Sequence, residues 1–333
     1  MTIYDIARIA GVNASTVSRV INGKPGVSQK KREEILAVLK EYNFIPDETA
    51  RNLVTQKTGM IGILTDDLKS THMNEAISVI QHELLENGYH CYVSYVNGTG
   101  SEAIEQGIRD MASRKVEGIM LLGVLFHNHA LLEPEIDKYF RDKPVVLVNQ
   151  TARTKHENMY VVGASEDNGI RRCVELLAEK NRKNLMMLID QGRTSTNKLK
   201  KTFADTAAQI LPGASVQVIT DLPVNGTEGE KIAGKIVREH PDIDGLMCTH
   251  DRIAINMMYA LQDAGRKVPE DVSVIGEDNS ELCKVCRPKL TSMDTMIRET
   301  TLLSAKTMLS VLGGETMKPY VSLEMEIVER DSL

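Results

Sequence analysis

The chain has 333 residues, 42% of them hydrophobic and 26% charged, with a formal charge of -6. That length allows roughly two domains, and the ordinary composition fits a globular protein, not one that attracts polyanions through bulk charge. No apolar run reaches the roughly 18 residues a membrane span needs, and the N-terminus lacks the pattern of a signal peptide, so no membrane partner and a cytoplasmic location are expected.

The mean conceals a difference between the two ends. Residues 1–57 hold nine Lys/Arg against six Asp/Glu, leaving 31 against 40 in the remainder. The N-terminal piece is the cationic part of an acidic protein, which favours a polyanion there. Within it, Thr2 is a predicted cap for a helix whose first turn carries Asp5, with Ile3, Ile6, Ala7 and Ala10 inward. Gly11-Val12 turns the chain, and Asn13 is positioned to cap a second helix. In that second helix Val17, Val20 and Ile21 recur at core spacing, while Ala14, Ser15, Ser18 and Arg19 take the other side. Short polar side chains with one long cation let a helix approach something closely. Lys24-Pro25-Gly26 breaks the pattern, and Ser28 opens a third helix with Ile35, Leu36, Val38 and Leu39 predicted inward. Helix, short glycine turn and helix is a helix-turn-helix, whose second helix can enter a major groove.

From Met60 onward short apolar runs alternate with helical stretches. The expected strands are 61–64, 91–95, 119–122, 145–148, 185–189, 216–219, 246–248 and 272–275. The expected helices are 72–87, 101–114, 165–180, 197–210, 226–239 and 252–265. This alternation predicts two parallel α/β sheets with a cleft at their strand ends.

The stretch "TIYDIARIAGVNASTVSRVINGKPGVSQKKREEIL" resembles the headpiece of LacI-type transcriptional regulators, and "NFIPDETARNL" resembles the hinge that follows it. The resemblance continues in order through the whole chain. It implies a headpiece over 1–46, a hinge helix and linker over 47–58, and a two-lobed core resembling periplasmic sugar-binding proteins over 59–333. Lobe one would hold about 60–161 and 292–320, and lobe two about 162–289 and 324–333. It further implies a homodimer that binds a pseudo-palindromic operator, a repressor as the expected role, and control by a small-molecule effector.

Carried over by position, the resemblance puts Ala14, Ser15, Thr16, Ser18 and Arg19 at the major groove. Arg19 is suited to grip a guanine edge bidentately. Thr2 and Asn22 would meet phosphates, while Ala50 and Leu53 would enter the minor groove, the leucine as a wedge. In the cleft it implies His72, Met73, Asn149, Leu199, His250 and Asp278 as effector residues. Here the chain departs from the family pattern: the aromatic pair after the first strand is absent, and Leu199 in "LKKTF" stands where an effector-clamping arginine is usual. The expected effector is therefore carbohydrate-like or anionic, with Lys69, Lys198 or Lys200 to meet the charge. The alternatives are a partner protein in place of the sugar, or a sensor or enzyme built on the core without DNA.

Other motifs carry less. Gly98-x-Gly100-x-x-Ala103 has the outline of a dinucleotide loop without its third glycine or a following acid, so no cofactor is expected. His127-x-His129 and Cys283-x-x-Cys286 each lack the further ligands of a metal site, so no metal is expected. No nucleophile elbow, Walker loop or paired-acid motif is present, and no catalytic residue is assigned.

Overall fold

The computed structural model describes residues 1–21, 23–44, 58–68, 71–98, 100–191, 193, 195–224 and 227–333. By its contacts the chain divides into two units, Met1–Thr58 and Gly59–Leu333.

The first unit holds α1 (Ile3–Ile9), α2 (Ala14–Ile21) and α3 (Gln29–Glu41). Thr2 and Asp5 form a reciprocal capping box. The Thr2 amide donates to the Asp5 carboxylate at 2.9 Å, and the Asp5 amide donates to the Thr2 hydroxyl at 3.3 Å. These hydrogen bonds hold the Asp5 carboxyl below its ordinary range. The Ser28 hydroxyl accepts from the Lys31 amide at the start of α3. Ile6, Ala7, Val17, Val20 and Ile35 make a small buried core. Its periphery is tied by α3 cations: Lys31 donates to the Ala10 carbonyl at 2.9 Å and Arg32 to the Lys24 carbonyl at 2.8 Å. Both acceptors lie just past helix C-termini, where carbonyls lack intrahelical partners. Leu36, expected inward, is 48% exposed, because α3 turns only Ile35, Val38 and Leu39 toward its neighbours.

The second unit is a pair of α/β lobes. The first sheet uses β1 (Met60–Thr65), β2 (His90–Tyr95), β3 (Gly118–Leu122), β4 (Val145–Val148), β5 (Met159–Ser165) and β11 (Tyr320–Glu324), ordered β11-β5-β4-β3-β1-β2 and parallel throughout. The second uses β6 (Asn184–Asp190), β7 (Ser215–Leu222), β8 (Gly245–Cys248), β9 (Ser273–Glu277), β10 (Thr291–Asp294) and β12 (Glu326–Val328), ordered β12-β10-β9-β8-β6-β7. Only the β10–β12 pair is antiparallel among the described strands. The central strands β3, β4, β8 and β9 are buried along their length, as parallel strands covered on both faces require.

Among the described residues the chain passes between lobes three times. It does so between β5 and α7 (Glu166–Glu179), between β10 and α12 (Ile297–Leu312), and between β11 and β12. The strand at 291–294 therefore belongs to the second sheet, whereas the sequence reading began lobe one's return at 292. Strands β5, β10, β11 and β12 were not expected. "TSMD" is buried through its neighbours' packing, not through apolar side chains of its own, and β11 and β12 are short edge strands with little hydrophobic signal.

Candidate functional site

Helix α2 carries the first group of functional candidates. Ser15 and Arg19 are exposed; Ala14, Thr16 and Ser18 are half-buried around the buried Val17 and Val20. The outward face is thus short, polar and armed with one cation. An Arg19 guanidinium nitrogen lies 3.7 Å from where a side-chain carbon on Gly26 would stand, so the turn after α2 leaves it room. Thr2 is exposed, but its hydroxyl already serves the capping box, donating to Asp5 at 2.9 Å. Tyr4, 74% exposed on α1, is an aromatic neighbour the sequence reading did not single out. Asn22, Ala50 and Leu53 lie outside the described residues.

In the core, the second group gathers at the carboxyl ends of the strands. His72 stands on the first turn of α4 (Thr71–Glu86), Asn149 follows β4, His250 follows β8 and Asp278 follows β9. His250 Nε2 lies 3.7 Å from Asp278 Oδ2, and its Nδ1 accepts from the Arg252 amide. Burial, helped by the charge of His250 and opposed by Asp294, holds His72 at about 4. That coupling joins a first-lobe helix to second-lobe strand ends. His127 is likewise held at about 4 by burial, with His129 and the second-lobe Arg193 contributing. The two lobes therefore share one cleft, and its histidines are neutral at neutral pH.

Leu199, a sequence-predicted effector residue, does not join it. Leu199 is 1% exposed and packs with Ile170, Cys173 and Phe203. On α8 (Thr196–Ile210) it shares a buried face with Phe203, Thr206 and Ala207. That spacing points it at the sheet, so it is a core leucine. Met73 packs against the Ile61, Ile77 and Ile80 cluster of the first lobe. Of the lysines invoked for an anion, Lys198 pairs with Asp167 at 3.0 Å, and Lys69 lies outside the described residues.

The sequence reading missed the centre of the cleft, which is Arg193. Its Nε donates to Asp190 at 2.8 Å, its Nη1 to Glu166 at 2.8 Å and to Glu277 at 3.0 Å, and its Nη2 to the Thr249 carbonyl at 2.8 Å. Thr249 also donates its hydroxyl to Asp190 at 2.6 Å. Glu277 keeps its second carboxylate oxygen buried with no partner. Burial raises Glu277 against the pull of Arg193, and burial with the charge of Glu277 raises Asp278. On the first-lobe side Gln150 is 1% exposed, and both ends of its amide lack a partner. Asp66 accepts from the Leu125 amide at 2.7 Å, seated against Gly123, where a side-chain carbon would collide with it at 1.7 Å.

Among the described residues no three His, Cys, Asp or Glu side chains converge as a metal site requires. Cys283 and Cys286 are buried, and burial raises both thiols away from reactive ionisation. Gly98 and Gly100 adopt left-handed backbone in the loop before α5 (Ser101–Ser113), which opens without a side-chain cap. No helix among the described residues is long and apolar enough to cross a membrane.

Comparison with known proteins finds likenesses for both units of the chain. Residues 2–47 match the lacI family of bacterial regulatory proteins, and residues 174–333 match the periplasmic binding protein-like domain. An HTH-type transcriptional regulator of Lachnoclostridium phytofermentans is 28% identical over 99% of this chain and 98% of its own length. The HTH-type transcriptional regulator MalR of Clostridium butyricum is 28% identical over 100% of this chain and 99% of its own. The crystal structure of the lac repressor dimer bound to operator and the anti-inducer ONPF matches with a TM-score of 0.89 at 22% identity. That match covers 100% of this chain and 98% of the other, and the likeness is one of fold.

Proposed function

The chain is a DNA-binding transcriptional regulator of the LacI family, and from that premise we propose that it is a cytoplasmic repressor controlled by a small molecule held in the interlobe cleft. In this reading residues 1–46 read DNA, 47–58 form the hinge, and 59–333 bind effector and pair two chains. Two α2 helices meet adjacent half-sites of a pseudo-palindrome. Effector binding shifts the balance between lobe arrangements, and DNA affinity changes by the coupling free energy.

The observation that carries the DNA assignment is the outward face of α2. Ala14, Ser15, Thr16 and Ser18 add little bulk there, so the backbone can lie close to base edges while Arg19 reaches further. The observation that supports a small-molecule effector is the convergence of His72, His250, Asp278 and the Arg193 network on one cleft, together with buried polar atoms of Gln150 and Glu277 that have no protein partner. Polar groups left unpaired inside a protein call for a ligand or water, since each costs about 1–3 kcal/mol unmade.

Titration of the whole chain onto duplex DNA at several salt concentrations, with sedimentation of the complex, tests this reading. Two chains per operator-length duplex and a steep salt slope are expected. One chain per duplex, or binding indifferent to salt, would overturn it. A wedge at Leu53 predicts that Leu53→Ala reduces DNA bending while core stability stays unchanged.

A further inference from the structure

Resting on the reading of the cleft as an effector site, we propose that the effector carries a protonated amine. The warrant is a charge balance. Six carboxylates gather on the second-lobe side of the cleft: Glu166 at the start of α7, Asp190, Asp251, Glu277, Asp278 and Asp294, the last taken up by the Asn279 side-chain amide and the Met296 backbone amide, each at 2.8 Å. The cation buried among them is Arg193, and all three of its nitrogens are already engaged. Asp251 is satisfied locally, by the Ser292 hydroxyl at 2.6 Å and the Ser280 amide at 2.7 Å. Other nearby cations do not close the balance. Arg252 is exposed, and Arg330 donates to the Leu290 carbonyl and to Asn279. Burial lowers His250, which faces the carboxylates, and His72 and His127 beside it, so at neutral pH they add no positive charge.

Two oxygens are left over. The second oxygen of Glu277 is buried without a partner, on a side chain 3% exposed. Among the described residues, the Asp278 carboxylate, 19% exposed, has the long 3.7 Å approach of neutral His250. Burial first, and the neighbouring carboxylates after it, push both acids up against the pull of Arg193, so protons are favoured at these oxygens. An ammonium would replace those protons and supply donors that neither Arg193 nor a neutral hydroxyl can supply with charge. An anionic effector meets the opposite situation, because Arg193 has no free face and Lys198 is tied to Asp167. Gln150, with both amide ends unpaired, offers a neutral donor and acceptor for the rest of the molecule.

The test uses the full-length protein at pH 7.5 and ligands matched in shape but not in charge. Glucosamine is compared with glucose, N-acetylglucosamine and glucuronate, and putrescine and spermidine with butanediol, by calorimetry. The amine of at least one set should bind at least ~10-fold more tightly than its neutral twin, a difference of about 1.4 kcal/mol, and Asp278→Asn should abolish that preference. Independently of any ligand, Asp278→Asn should raise the melting temperature of the empty protein by ~2 °C or more, because it removes a surplus buried acid. Neutral or anionic members binding as well as the amines would overturn the amine while leaving the cleft as an effector site. Failure of every amine, or a lowered melting temperature in Asp278→Asn, would also overturn it. If no member of the panel binds and Asp278→Asn lowers the melting temperature, the effector reading of the cleft falls as well.

Discussion

The side chains proposed to meet DNA on α2 lie within a few residues of one another, Ser15 and Arg19 in solvent and Ala14, Thr16 and Ser18 half-buried. The cleft instead draws Glu166, Asp190, Arg193, Thr249 and Glu277 from separate strand ends and buries them together. The first arrangement separates function from stability, because Arg19 is exposed and the core below it is Val17, Val20 and Ile35. The second merges them, since Arg193 also balances Glu166, Asp190 and Glu277. Changes on α2 should therefore alter binding without altering folding, and changes at Arg193 should alter both.

The largest effect tests the merged half of that contrast. Arg193→Ala leaves Glu277, Asp190 and Glu166 without their cation, so the core should lose roughly 3–5 kcal/mol in chemical denaturation. A loss below about 1 kcal/mol would mean the network is not holding the lobe.

Acid should separate the two units next. His72 and His127 are held near 4 in the fold, below their unfolded value of 6.5. Between those limits the unfolded chain binds the extra histidine protons, so the histidines' contribution to core stability is present above about pH 6.5 and is lost as pH falls toward 4, while Glu277 and Asp278, raised in the fold, contribute in the opposite sense. The loss amounts to about 1.4 kcal/mol per pH unit for each fully affected histidine. Residues 1–58 contain no histidine, so headpiece unfolding should lack this slope. Thermal melts of the whole chain and of His127→Asn from pH 7 to pH 4.5 isolate it as the difference between the two core slopes; identical core slopes in the two proteins would break the contrast.

The smallest effect lies in the headpiece. Thr2→Ala removes one half of the capping box and should cost about 1 kcal/mol of headpiece stability, leaving the core melt in place. Amide exchange in α1 reads the change, and unaltered protection there would show the box to be redundant.

How much of this was legible in the sequence follows from the same contrast. The headpiece was readable because caps, turn and buried stripe are local: Thr2, Gly11, Val17, Val20 and Ser28 each act within a few residues of themselves. The parallel sheets were readable because their central strands are continuous apolar runs. The cleft was not. Leu199 matches a family position by spacing, yet the phase of α8 turns it into the core beside Phe203. Arg193 lies six residues earlier in a loop with no periodicity, and its three acids come from β5–α7, β6 and β9. The one cue was an arginine directly after a strand ending in Asp190, a weak signal until the strand order is known.

The account's central claim is that the α2 face reads DNA sequence, and its most direct measurement is Arg19. Bound duplexes are selected from random DNA by the native chain and by Arg19→Ala, and affinities for the winning site and for scrambled DNA are then compared. The account predicts a two-half pseudo-palindrome for the native chain, a loss of ~1–3 kcal/mol on that site in the variant, and relaxed preference at one base pair of each half. An equal loss on all sequences would contradict it, because Arg19 would then hold a phosphate and the reading of bases would lie elsewhere.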